Sequence, residues 1–238
     1  EEARNYKVDQ SFVNQMINAS ALDNGLHAGD LKFVDLDGNN KIEQTTSAND
    51  RKDMKVIGNS LPRYNYNFGI SADWYGIDFS VLFQGIGKQN WYPGAETSMF
   101  WGPYSRPYAS FIPSDFMSQV WSEENTNAYF PRPRGYVALG SNRELAVVNT
   151  KYLQNLAYCR LKNLSIGYTL PDKWLSKIGF EKIRVYFSGE NLLTFTKLHS
   201  DYIDPEQASA SNSWKTSKSD ANIYPWAKTY SFGVDITF

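Results

Sequence analysis

The sequence predicts an all-β protein whose antiparallel strands each present one apolar and one polar face. The clearest strand is 226–238, WAKTYSFGVDITF, in which apolar residues occupy alternate positions, except at Lys228, and small or polar residues lie between them. Strict alternation is typical of a strand that borders two different environments. The same pattern recurs upstream, and strands are predicted at approximately 63–74, 77–86, 152–170, 182–195 and 226–238.

The composition agrees with a strand-rich protein and excludes two other classes. Aromatic residues make up 16% of the 238 residues, against 21% charged residues, and aromatic side chains are favoured in strands. The net charge of −1 gives no electrostatic support for nucleic-acid binding. No run of about 18 apolar residues is present, so a transmembrane helix is not predicted. The single cysteine, Cys159, cannot form an internal disulfide.

The connections between the predicted strands are strongly unequal. Long segments at approximately 1–62, 87–150 and 197–224 alternate with a tight turn at 75–76 and a short connector at 171–180. Outer-membrane barrels have short periplasmic turns and long extracellular loops. Since aromatic residues also lie at both ends of the apolar faces, the sequence predicts an antiparallel transmembrane β-barrel with extracellular loops and a periplasmic C-terminus.

The predicted strands are too few to close a barrel, which needs about eight. In lipid, the open edges would leave backbone groups without hydrogen-bond partners. We therefore expect the chain to be the C-terminal part of a larger barrel. A soluble carbohydrate-binding β-sandwich of the lectin type is the alternative, in which the apolar faces would pack against a second sheet. A passive porin or adhesin barrel would differ in lacking a plug domain.

An acidic segment resembles the first half of a calcium-binding loop. Asp35, Asp37 and Asn39 are spaced two residues apart, and the backbone carbonyl of Lys41 follows at the seventh position. The twelfth position holds no acid, so Asp50 is the predicted final ligand. The alternative is a polar turn without a metal.

Six aromatic residues in and beside the long central loop are the candidates for contact with a substrate or partner. Flat rings stack on sugars or peptide side chains with little loss of conformational freedom. The alternative is that the rings form the loop's own small core. The candidates are Trp91, Tyr92, Trp101, Tyr104, Tyr108 and Trp121.

A second aromatic set is predicted to form the membrane girdle and, in the last strand, a signal for barrel assembly. Ordinary strand packing is the alternative. The set is Tyr64, Trp74, Trp226, Tyr230, Phe232 and Phe238.

The sequence contains no motif that indicates an enzyme. His27 and His199 are isolated in loops, and Cys159 has no histidine nearby in the sequence. No H-E-x-x-H, G-x-S-x-G or glycine-rich phosphate loop is present. No catalytic residue is therefore predicted.

Several blocks, in their expected order, resemble the C-terminal barrel half of SusC/RagA-like TonB-dependent outer-membrane transporters. They are GDLKFVDLDG at 29–38, PRYNY at 62–66, YCRLKNLSIGYTLP at 158–171, GENLLTFT at 189–196, DPE at 204–206 and YSFGV at 230–234. The resemblance implies a barrel of about 22 strands with a plugged lumen. It also implies import of oligosaccharides or peptides, energy supplied through TonB, and a SusD-like surface lipoprotein as partner. The plug domain and the TonB-contacting segment are N-terminal in relatives and are not expected in this chain.

Overall fold

The computed structural model describes residues 7–9, 27–45, 47–105, 112–133, 138–140, 144–176, 179–211, 218–219 and 224–238. The chain divides into two compact units. The loop unit consists of Glu1–Gly58, Tyr92–Leu153 and Lys215–Asn222. The sheet unit consists of Asn59–Trp91, Gln154–Trp214 and Ile223–Phe238.

Strands dominate the regular structure. They are β1 (Arg63–Trp74), β2 (Ile77–Lys88), β3 (Asn90–Pro93), β4 (Gln154–Asn155), β5 (Tyr158–Thr169), β6 (Lys182–Thr196), β7 (Lys218–Ser219) and β8 (Thr229–Thr237). The helices are α1 (Ser98–Trp101), α2 (Asp172–Leu175) and α3 (Pro205–Ser211), with 3-10 turns at Gly102–Tyr104 and Phe116–Gln119. In the described part of the chain, no helix is long and apolar enough to cross a membrane.

The sheet unit is a five-stranded antiparallel sheet in the order β1-β2-β5-β6-β8. The predicted all-β, antiparallel fold class is thereby confirmed. The β1–β2 hairpin turns at Tyr75 and Gly76, whose positive φ angles of 47° and 82° suit the two-residue hairpin turn that matches strand twist.

Two predicted strands are longer than the strands in the structure. The strand predicted at 152–170 begins only at Tyr158, because the N–H of Leu156 turns to donate to the carbonyl of Gln89, 2.9 Å away. The strand predicted at 226–238 begins at Thr229. The N–H of Trp226 instead donates to the Asp204 carboxylate over 3.4 Å, which holds this residue outside the ladder.

The strand register gives the sheet two chemically different faces. Phe79, Ile166, Phe187 and Phe232 lie side by side across four strands and belong to the apolar face. On the polar face a continuous row of serines crosses all five strands, formed by Ser71, Ser80, Ser165, Ser188 and Ser231. The alternation in each strand therefore adds up to one apolar and one polar surface.

The apolar face is open over much of its area. Ile70 is 61% exposed and Phe232 is 83% exposed. Among the residues that the structure describes, no second sheet packs on this face. A β-sandwich would require such a layer, so the lectin-like alternative is not supported.

Register shifts preserve these faces along the full strand length. The pairing shifts between Leu161 and Asn163, which makes Lys162 an extra residue in β5 relative to β2. Asn191 in β6 has a positive φ of 53° at the same level of the sheet. A one-residue bulge reverses the alternation within its own strand. Leu161, at an odd-numbered position, therefore still lies opposite Phe83, as the even-numbered Leu164 lies opposite Val81.

Candidate functional site

The loop unit has a core of packed aromatic rings, and four of the six predicted contact residues are buried. The Trp101 ring meets the rings of Phe100 and Tyr152 edge-on, at centroid distances of 4.8 and 5.2 Å. The Tyr104 ring stacks on Phe130 at 5.9 Å. Each of these four is 1% exposed or less; they are Trp91, Tyr92, Trp101 and Tyr104.

The polar atoms of three of these buried rings donate to backbone carbonyls. The Tyr92 hydroxyl donates to Leu145 at 2.7 Å, and Trp101 Nε1 donates to Pro93 at 3.3 Å. The Tyr104 hydroxyl donates to Pro131. Burial raises the pKa of Tyr92 far above its ordinary value. Tyr92, Trp101 and Tyr104 therefore pack inside the loop unit, whereas the buried Trp91 belongs to the sheet unit.

The two remaining aromatic candidates differ from these four. Trp121 is half-buried, and its ring occupies the space beside Gly29 that a β-carbon would need. Gly29 also has a positive φ of 84°, so glycine suits this position for two reasons. Tyr108 lies outside the described residues. Contact of the six aromatic residues with a substrate or partner stays a prediction.

Beside this core the loop unit contains a half-open groove of about 890 Å³. We call it the loop groove, and its walls come mainly from segments 30–36, 42–44, 53–57 and 146–151. The volume lies within the range of about 300–1,000 Å³ that is usual for ligand sites. Sequence patterns did not identify this groove, because its walls come from segments far apart in the chain.

A single carboxylate joins three of the groove segments. Asp53 accepts hydrogen bonds from the backbone N–H groups of Leu36 and Glu43, at 2.6 and 2.8 Å. Asp30 plays a similar part at another wall. It is buried, lies 2.8 Å from Nε of Arg132, and accepts the N–H of His27 at 2.8 Å. The groove is therefore held open by fixed polar contacts.

The acidic segment forms a tight turn, with one change to the predicted ligand set. Carboxylate oxygens of Asp35, Asp37 and Asp53 lie within 4.8 Å of one another. Asp50, the predicted ligand, instead pairs with Lys52 at 3.3 Å. Three converging carboxylates suit a hard divalent cation. Asn39 stays beside the cluster, where its side-chain carbonyl accepts the N–H of Lys41 at 2.7 Å.

Backbone N–H groups already stabilise one member of this cluster in its charged form. Asp35 accepts hydrogen bonds from Gly38 at 2.7 Å and from Asn40 at 2.8 Å. Partial desolvation raises the pKa of Asp35, but the hydrogen bonds from Asn40, Gly38 and Asn39 outweigh it, so the pKa is lowered. Asn40 adopts a positive φ of 61°, a conformation that asparagine tolerates.

The sheet unit contains a buried ion network towards the end of the sheet that lies opposite the β1–β2 turn. The Arg160 guanidinium donates to Asp204 at 2.6 Å, to Glu206 at 2.8 Å and to the Thr194 hydroxyl at 3.0 Å. Lys162 donates to Glu206 at 2.9 Å. Arg160 is only 2% exposed. The network fastens the start of α3 to the polar face of β5.

This network was missed in the sequence, although a signal for it was present. Arg160 and Lys162 follow each other at i and i+2 in a strand, and the D-P-E block supplies two carboxylates. Cations on a strand near a long loop need partners when they become buried. The spacing of about 44 residues to the D-P-E block gave no indication that these groups meet.

The predicted girdle residues are exposed at the ends and on the apolar face of the sheet. Trp74 and Phe238 lie near the hairpin end, and Tyr64 lies at the opposite end of β1. Trp226 differs, because the Lys162 ammonium lies 5.2 Å from its ring centroid. Contact of these aromatic residues with lipid, and their role in assembly, stay predictions. All six are at least 49% exposed: Tyr64, Trp74, Trp226, Tyr230, Phe232 and Phe238.

Known proteins that resemble the chain are TonB-dependent receptors of Formosa agariphila. TonB-dependent receptor P3 is 32% identical over 212 residues, which cover 87% of this chain and 19% of the receptor. TonB-dependent receptor P26 is 26% identical over 227 residues, covering 93% and 21%. The names describe receptors, in agreement with the prediction that the chain is not an enzyme. No family model matches the chain.

The solved structures that resemble the chain have the same fold. The RagAB peptide importer in its open-open state superposes with a TM-score of 0.52 at 22% identity, covering 82% of this chain and 19% of that one. The structure of the RagAB peptide transporter gives a TM-score of 0.53 at 21% identity, covering 83% and 20%. At this identity the likeness concerns the fold alone.

The family resemblance found in the sequence is confirmed by these relatives. The chain spans about a fifth of the length of the receptors that it matches. With its two-faced antiparallel sheet and its long loops, the chain belongs to the TonB-dependent receptors.

Proposed function

We propose that this chain is part of a transporter that imports oligosaccharides or peptides across the outer membrane, with energy supplied through TonB. The observation that carries the proposal is the register of the sheet, which collects apolar side chains on one face and serines on the other across all five strands. Such a sheet suits a barrel wall between lipid and a wet lumen. Membership of the TonB-dependent receptors supports the same location.

The dimensions of the sheet support a membrane-spanning wall. β8 has nine residues, which at about 3.3 Å per residue extend about 30 Å. A strand tilt of about 40° reduces the height to roughly 23 Å, close to the apolar band of about 25 Å in outer-membrane barrels. In lipid, the outer edges of β1 and β8 need further strands for their backbone groups, as a larger barrel would provide.

The proposed orientation places the long loops outside the cell. The tight turn at 75–76 and the end of β8 lie at the same end of the sheet, which we assign to the periplasm. A SusD-like surface lipoprotein would then cover the extracellular loops. The structures that the chain resembles are of an importer for peptides, which supports peptides as one of the two cargo classes.

We also propose that a calcium ion stabilises the acidic turn. Asp35, Asp37 and Asp53 supply carboxylate oxygens within 4.8 Å of one another, and hard cations favour such ligands. The ion would fasten segments 35–40 and 53–55 at the edge of the loop groove. Its role would be structural, since it joins two walls.

The test uses the full-length protein in its own cells. The affinity-tagged protein is purified from detergent-solubilised outer membranes, and its partners and bound molecules are identified by mass spectrometry. Co-purification with a surface lipoprotein and a bound oligosaccharide or peptide, together with uptake that stops when TonB is deleted, is the expected result. Recovery only from the soluble fraction, or uptake that continues without TonB, would overturn the proposal.

A further inference from the structure

The charged side chains of the loop groove are unequally paired. Its carboxylates are bonded within the loop unit: Asp30 lies beside Arg132, Asp53 accepts two backbone N–H groups, and Glu43 lies 3.1 Å from Lys41. The lysines of two walls lack such partners. Among the described residues, no carboxylate lies within salt-bridge distance of Lys55 or Lys151.

The position of Lys151 strengthens this asymmetry. Its ammonium lies 5.7 Å from the ring centroid of Tyr152, at the edge of the aromatic core. Desolvation lowers the pKa of Lys151, so a nearby anion would regain part of what the ammonium loses by leaving water. Two walls of the loop groove therefore carry ammonium groups, on Lys55 and Lys151, that the carboxylates of a ligand would complement.

One wall of the groove also contains a segment whose backbone N–H and C=O groups are not bonded to another described strand. Residues 55–58 make no backbone hydrogen bond to another described residue. Asp53, Met54 and Lys55 line the groove at the preceding turn; beyond it Val56 is 80% exposed and does not line the groove, and Ile57 lines it again. This alternation is that of an extended segment, and an extended segment with free N–H and C=O groups accepts a peptide as an added strand.

From these observations we infer that the loop groove binds an extended peptide bearing carboxylate groups. The peptide backbone pairs with residues 55–58, its apolar side chains meet Ile57 and Val34, and its carboxylates reach Lys55 and Lys151. A neutral oligosaccharide has neither the backbone ladder nor the negative charge. The inference rests on the proposed import function and narrows the cargo to acidic peptides at this site.

The binding test uses the full-length protein with the lipoprotein that co-purifies with it. The probe is an N-acetylated hexapeptide that alternates leucine and aspartate, and binding is measured by isothermal titration calorimetry. Two matched peptides serve as controls: one has asparagine for aspartate and a C-terminal amide, and the other has N-methyl groups on alternate amides. We expect each control peptide to bind at least tenfold more weakly.

On the protein side, the double variant Lys55→Gln, Lys151→Gln should weaken binding of the acidic probe at least tenfold. The control Lys173→Gln, in α2 of the sheet unit, should bind like the wild type. The peptide controls remain decisive if the double variant folds poorly. Equal binding of all three peptides would overturn the inference, as would peptide binding that appears only after the lipoprotein has been removed.

Failure of this inference can be told apart from failure of the proposed function. If the double variant reaches the outer membrane and its TonB-dependent import of the acidic peptide is unchanged, only the inference about the groove is wrong. If the wild-type protein is absent from the outer membrane, the proposed function itself is wrong.

Discussion

Replacing Arg160 by methionine should release the segment that follows β6 from the sheet. The guanidinium is 2% exposed and contacts Asp204 and Glu206 at 2.6 and 2.8 Å. Methionine has a similar length but leaves both carboxylates without their main cation. Removing one partner of a buried ion pair typically costs about 3–5 kcal/mol, mainly because the remaining charge is left uncompensated.

The expected effect is local, because the network fastens α3 rather than the strands. Asp204 precedes the helix, accepts the N–H groups of Glu206 and Gln207 at 2.9 and 3.2 Å, and its carbonyl accepts that of Ala208. A loss of about 3–5 kcal/mol in the opening free energy corresponds to roughly 100-fold to 5,000-fold faster amide exchange. Exchange in β5 should change far less.

Hydrogen exchange with mass spectrometry on the full-length protein measures this directly. Arg184→Met is the matched control, because Arg184 also contacts two carboxylates, Asp78 at 2.6 Å and Asp235 at 3.1 Å, but lies far from α3 in the sheet. The triple variant Arg160→Met, Asp204→Asn, Glu206→Gln should recover part of the protection, since neither side chain that loses the Arg160 contact is then charged. Exchange in 197–211 within threefold of wild type for Arg160→Met would refute the reasoning.

Three further predictions concern the apolar face, the acidic turn and the aromatic core. Phe232→Lys should lower the amount of the protein in the outer membrane, because a lysine on the lipid face costs about 2–4 kcal/mol at mid-depth. Ser231→Lys on the polar face should be tolerated. Immunoblots of membrane fractions compare the two variants. Calcium should protect the acidic turn from proteolysis, chelation should remove the protection, and Asp53→Asn should abolish it while Asp50→Asn should not. The folded loop unit holds the Tyr92 proton more tightly than the unfolded chain, whose tyrosine pKa is about 10. The stabilisation of the loop unit by Tyr92 should therefore be fully present below about pH 10 and should fall as the pH rises further. Near-UV circular dichroism should show the loss of folded loop unit, and the Tyr92→Phe variant should show a weaker pH dependence.

The strands were predictable because a period of two is local information. Side chains that alternate along β1 and β8 identify a two-faced sheet without knowledge of any partner strand. The strand ends were less predictable, because tertiary hydrogen bonds decide where a ladder stops. Leu156 and Trp226 both lie within predicted strands, yet their N–H groups bond to Gln89 and Asp204 instead.

The predicted ligands of the acidic turn show the same limit, because local spacing does not reveal contacts between distant segments. Asp35 and Asp37 were predicted as ligands from their spacing, since ligands two residues apart belong to one turn. The third carboxylate comes from Asp53, which also bonds the backbone of Leu36 and Glu43. Local spacing favoured Asp50, but that residue is paired with Lys52. A carboxylate supplied by a returning segment, such as that of Asp53, depends on the fold and has no fixed offset in the sequence.

The buried aromatic residues and the loop groove are mechanically connected. The Tyr92 hydroxyl donates to the carbonyls of Leu145 and Val147, at 2.7 and 3.2 Å, and accepts the Asn149 amide at 2.9 Å. The Asn149 carbonyl in turn accepts the N–H of Lys151 at 3.1 Å. The buried Tyr92 ring thus fixes the wall that carries Lys151, the proposed ligand-binding lysine, because close packing leaves that wall little freedom. In this loop unit the buried aromatic rings fix the position of a groove wall. The charged side chain that is proposed to bind a ligand lies on that wall and not in the aromatic core.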